Sequence, residues 1–215
     1  LMDFSELGAG FKIALNDLQI RGGGTILGSS QSGHIAAVGY ELYLELIEKT
    51  IGEMKGEKPE AEGIDPEIHV PLAAFLPDTF IPDNDQRLLA YKRLATLGEM
   101  EDVDELAGEW RDRYGPFPES ARNLVLLAKL RLCFRQSGIV RMEEEREDFV
   151  LYFCGQDQMN RVIAAFERKK CAFSPDSDRR LRVEIWGRNL PQRVARLKRI
   201  LQEPVEHDSD IKLIR

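Results

Sequence analysis

Apolar positions recur at helical spacing along most of the chain, and the breaks in that rhythm divide it. Phe11, Ile13, Ala14 and Leu18, with Leu15 beside them, make one helical face; Ile35, Val38, Leu42, Leu46 and Ile47 make another after a glycine-rich break. Glu41, Glu45, Glu48 and Lys49 fall on the other faces of that second helix. Together they predict a helical hairpin over residues 1–52. Periodicity is lost over 53–66, where Gly56, Pro59 and Gly63 are interspersed with Glu and Lys, the composition of a linker.

Residues 67–215 predict a second domain. Ile68-His69-Val70 alternates like a short strand. Residues 76–82 are bounded by prolines and read as extended, because a residue before proline avoids the helical region. This arm, with Leu76, Pro77, Phe80, Ile81 and Pro82, and Phe75 just ahead of it, is expected to dock onto the helices that follow. The first helix, 84–97, presents Leu88, Tyr91, Leu94 and Ala95 and stops at Gly98. The second presents Val103, Leu106, Trp110 and Tyr114 and stops at Gly115; the third starts at Pro118-Glu119-Ser120, presents Ala121, Leu124, Val125, Ala128 and Leu132, and stops at Gly138.

From Ile139 helices and strands alternate. Residues 149–153 predict a strand, 159–166 a helix, 181–186 a half-buried strand, and Val194, Leu197, Ile200 and Leu201 the inward face of a last helix. The predicted class is α+β: an N-terminal helical hairpin with a glycine-rich loop, then a helical layer packed on a small mixed sheet.

Charge adds an asymmetry. The chain carries a net −7, yet residues 155–215 hold 14 Lys and Arg against 9 Asp and Glu, while residues 1–154 hold 16 against 28. Arg193, Arg196 and Arg199, at three-residue spacing on the last helix with Lys198 beside them, read as a solvated edge opposite an apolar stripe. Without interleaved aromatics such an edge points only weakly to nucleic acid. Cys133, Cys154 and Cys171 are isolated and read as small buried apolar residues, and the three histidines are scattered, so neither a disulfide nor a metal is expected. No apolar run reaches the roughly twenty residues of a membrane span. No signal-peptide pattern opens the chain, so the expected location is cytoplasmic.

The densest information lies at the hairpin tip. Gly8, Gly10, Gly22, Gly23, Gly24, Gly28 and Gly33 surround Arg21 and Gln31, and glycine alone reaches positive φ without penalty, so the backbone is built to turn sharply there. Arg21 ends a helix just before the glycine stop. No Lys-Ser/Thr follows Gly22-Gly23-Gly24, which excludes a phosphate-binding loop.

The run Gly10-Phe11-x-Ile13-Ala14, Asp17-Leu18-x-x-Arg21-Gly22-x-Gly24, Gly28-x-x-Gln31-Ser32-Gly33 resembles the translocation motif of the RecG helicase, shared with the bacterial transcription-repair coupling factors (Mfd). The remainder is similar to the second family: Gly39-Tyr40-Glu41-Leu42-Tyr43 after the loop, then Leu76-Pro77-Asp78-Thr79-Phe80-Ile81-Pro82, Arg87-Leu88, Tyr91-Lys92-Arg93, Glu105-Leu106, Asp112-Arg113-Tyr114-Gly115 and Pro118. Gly23 stands where that family commonly has Ala, and Ser29-Ser30 where it commonly has two glutamates.

This resemblance implies a C-terminal fragment of an ATP-driven double-stranded DNA translocase that displaces stalled RNA polymerase and recruits UvrA. ATP and magnesium would belong to the parent's motor, expected before Leu1; the fragment shows no nucleotide-binding motif and is expected to hydrolyse no ATP and to hold no cofactor. Arg21 and Gln31 would link the hairpin arms, with Asp17, Gly22, Gly24, Gly28, Ser32 and Gly33 completing the motif. The second domain would pack on an intramolecular UvrA-binding region and mask it. Two alternatives stay open: a fragment of a RecG-like fork-remodelling helicase, and an accessory domain that binds DNA through its basic end.

Overall fold

The computed structural model describes residues 65–202. The predicted hairpin and nearly all of the predicted linker lie outside them. The described residues form β1 (Glu67–His69), α1 (Asn84–Thr96), α2 (Met100–Tyr114), α3 (Glu119–Ser137), β2 (Ile139–Glu145), β3 (Asp148–Phe153), α4 (Gln156–Arg168), β4 (Phe173–Ser177), β5 (Arg180–Val183) and α5 (Leu190–Gln202). This is a mixed α+β fold.

Local chemistry sets the helix ends. Asp83 precedes α1 and its carboxylate accepts from the Gln86 N–H at 2.8 Å, which satisfies an otherwise orphaned donor. α3 stops at Gly138, whose φ of 68° is left-handed; a Cβ there would also lie 2.4 Å from Gln158 Cγ, so conformation and close packing both demand glycine.

The sheet runs β1-β2-β3-β5-β4, with β1 parallel to β2 and every other pair antiparallel. Ile68 pairs with Met142, Met142 with Leu151, Leu151 with Leu181, and Phe149 with Val183, so these buried side chains line one face. That face meets helices: α3 packs on β2 and α5, and α4 on β3, α3 and α5. α2 packs on α3 from the other side, and one apolar core runs from the arm to the sheet.

Several details differ from the sequence reading. β2 and β4 were not among the predicted strands. β5 ends at Val183, three residues short of the predicted end. On α1 it is Arg87 that is buried, while Leu88 is only half-buried. Among the cysteines only Cys133 is buried; Cys171 is half-buried and Cys154 exposed, because Cys154 lies beyond the last residue of β3, on the surface turn before α4.

Candidate functional site

The arm threads between the helices on a set of specific bonds. Leu76 and Ile81 are fully buried, Phe80 is nearly so, Pro77 is half-buried and Pro82 is exposed. The Leu76 N–H donates to the Tyr91 hydroxyl at 2.8 Å, the Phe75 N–H to the Ser120 carbonyl at 3.2 Å, and Asn123 Nδ2 to the Ala73 carbonyl at 2.9 Å. Extended backbone buried away from a sheet needs such partners. At its far end the buried Arg87 guanidinium donates to the Ile81 carbonyl at 2.5 Å and to Asn84. Phe80 meets Tyr114 and Phe117 edge-on, with centroids 5.7 and 5.2 Å away.

Before the arm, Asp65 pairs with Arg131, and with Arg135 at 2.9 Å, tying the entering chain to α3.

The outer sheet face carries charge. Arg182 pairs with Glu145 at 2.6 Å, Arg180 with Glu145 at 2.9 Å and with Asp176 at 2.6 Å, and Arg141 with Glu143. The Tyr152 hydroxyl donates to Glu143 at 3.0 Å, and the Arg141 and Arg180 guanidiniums stand 5.5 and 5.6 Å from its ring centroid. The hydrogen bond from Arg182, with Arg180 adding its charge, holds the Glu145 carboxyl below its ordinary pKa. Val150, on this same face, is fully covered.

Arg193 departs from the solvated edge assigned to it. It is buried, donates to the Ile185 carbonyl at 3.1 Å and to the Glu147 carbonyl, pairs with Glu144, and lies 4.6 Å from the Phe149 ring centroid. Arg196 and Arg199 do stay exposed. They border an open groove of about 860 Å³ with Trp186, a feature that the periodicity of the last helix did not signal.

The motif residues Asp17, Arg21, Gly22, Gly24, Gly28, Gln31, Ser32 and Gly33 lie outside the described residues. Among the described residues there is no group of three His, Cys, Asp or Glu side chains placed to hold a metal ion, and no helix long and apolar enough to cross a membrane.

Residues 70–162 match the family model described as "TRCF domain". The solved "Crystal structure of C-terminal domain of transcription-repair coupling factor" superposes with a TM-score of 0.56 over 65% of this chain and 92% of that one, at 16% sequence identity, a likeness of fold. Among whole proteins, the chain is similar to the "Transcription-repair-coupling factor" of Myxococcus xanthus, at 42% identity over 143 residues, 66% of this chain and 12% of the relative. It is also similar to the proteins of that name in Bacillus subtilis, at 37% over 68% of this chain and 12% of the relative, and in Escherichia coli, at 32% over 94% of this chain and 18% of the relative. These likenesses support a fragment of a transcription-repair coupling factor; the chain spans 12% to 18% of the length of these curated relatives.

Proposed function

We propose that this chain is the C-terminal portion of an ATP-dependent double-stranded DNA translocase that couples transcription to nucleotide excision repair. The observation that carries this reading is the match of residues 70–162 to the TRCF domain. In the parent, a motor binding ATP and magnesium drives the protein along duplex DNA, displaces stalled RNA polymerase and recruits UvrA. The hairpin of residues 1–52 passes the motor's nucleotide-dependent closure to the DNA, with the Arg21 fork and the Gln31 carboxamide linking its arms.

Residues 67–215 act as an intramolecular clasp that masks the UvrA-binding region until polymerase is engaged. The outer sheet face supports this role. Its cations and carboxylates are already paired with one another, so a partner that leaves strands no buried charge, and a polar contact of that kind can open.

In the parent, Arg21→Ala is expected to leave ATP hydrolysis measurable and abolish triplex displacement; unchanged displacement contradicts the lever role. Deleting residues 65–215 from the parent is expected to increase its binding to UvrA.

A further inference from the structure

Trp186 is 72% exposed, and with Leu89 it makes up the exposed large apolar side chains of the described residues. Its placement is built. Ile185 is buried while Trp186 is exposed, and Gly187 follows, where a Cβ would lie 2.7 Å from Arg193 Cγ and 3.0 Å from Arg193 N. The first turn of α5 therefore sits directly on the segment that carries Trp186. Arg193 fixes that segment through the Ile185 carbonyl, Asn189 Oδ1 accepts from the Gln192 N–H at 3.0 Å, and Gln192 Oε1 accepts from the Arg188 N–H at 3.2 Å.

The groove beside this ring is lined by Lys169, Arg188, Gln192, Arg196 and Arg199 along with Trp186. Arg196 and Arg199, three positions apart on α5, project on one side with Cβ atoms about 5–6 Å apart. Arg188, Arg196 and Arg199 form no ion pair among the described residues, in contrast to Arg180, Arg182 and Arg193. Residues 185–202 contain no Asp or Glu.

We infer that this groove binds single-stranded nucleic acid, with Arg196, Arg199 and Arg188 tracking the phosphates and one base stacked on Trp186. A charged track with an aromatic platform is the combination single strands need, and it is tolerant of sequence because every base offers a π face. The aromatic absent from the linear pattern of α5 is supplied by the segment that follows β5 and packs against the first turn of α5. Cys171, Ala195 and Ile200 complete the lining, and an acidic amphipathic helix, the other occupant that charge and apolar lining together could take, is an outcome of the test.

The test titrates the 215-residue chain with an oligothymidylate strand of about 20 nucleotides at low salt, following tryptophan emission. Trp110 is buried, so quenching reports Trp186. The expected result is quenching on binding, and affinity weakened about tenfold in both Trp186→Ala and Arg196→Ala/Arg199→Ala when read by the anisotropy of a fluorescently labelled strand, a signal that does not depend on Trp186. In the double arginine variant the slope of log affinity against log salt falls by about 1.4. Unshifted melting temperatures would show that both variants fold; if one fails to, Arg196→Gln/Arg199→Gln supplies the same comparison.

Several results overturn the inference. One is binding without quenching, or affinity unchanged in the variants. Another is a polyglutamate peptide that binds as tightly and loses as much, which assigns the groove to an acidic protein segment. A third is no binding at about 0.1 mM strand.

Discussion

Arg193 of α5 and Glu144 of β2 form an ion pair, Nη1 to Oε1 at 2.5 Å, between side chains only 11% and 16% exposed. The pair fastens the last helix to the sheet and, through the other guanidinium nitrogens, to the segment after β5 at Ile185 and the hairpin turn at Glu147. Removing one partner leaves a buried charge alone. Arg193→Met is expected to destabilise the chain by about 3 kcal/mol or more, and Arg193→Met/Glu144→Met to recover much of the loss. Urea unfolding of the variants measures both; a single variant as stable as the parent sequence contradicts the role.

The turn joining β2 to β3 places Arg146 and Glu147 at φ 52° and 73°, a left-handed pair without glycine. Side chains pay for that conformation in crowding against the backbone. Glu147→Gly is expected to stabilise the chain by about 1 kcal/mol, visible as a higher midpoint in urea at unchanged slope.

Glu145 has its folded pKa depressed from the ordinary 4.5, chiefly by the Arg182 hydrogen bond. The associated stability is present above pH 4.5 and is lost as pH falls through the folded value. The melting-temperature advantage of the parent sequence over Glu145→Gln is therefore expected to shrink on acidification below that point. An advantage that grows would contradict the pairing.

Burial pushes the Cys133 thiol up to about 11, whereas Cys154 is exposed. At neutral pH a thiol reagent is expected to label Cys154 quickly and Cys133 only after unfolding. Peptide mapping of the labelled protein distinguishes the two.

Elements whose apolar residues sit on one helical face, closed by a glycine, were legible in the sequence: α2 and α3 end at Gly115 and Gly138 as the pattern indicates. Strand β2 was not, because Met142 is flanked by Arg141, Glu143, Glu144 and Glu145, and the cations that pair with Glu145 and Glu144 lie on β5 and α5. Strand β4 reads Phe-Ser-Pro-Asp-Ser and is an edge, where proline is tolerated. Arg193 was grouped with Arg196 and Arg199 by spacing, yet Glu144, which buries it, is 49 residues away. Likewise the alternation through residues 181–186 did not signal that Trp186 would stand beside α5. Local rhythm finds helices; it does not find non-local charge partners or a groove assembled from two segments.

The clasp is tested most directly by titrating UvrA against the full-length parent and against the parent lacking residues 65–215. The expected result is tighter UvrA binding after the deletion, together with ATP hydrolysis that persists. Equal affinity of the two proteins for UvrA would contradict it.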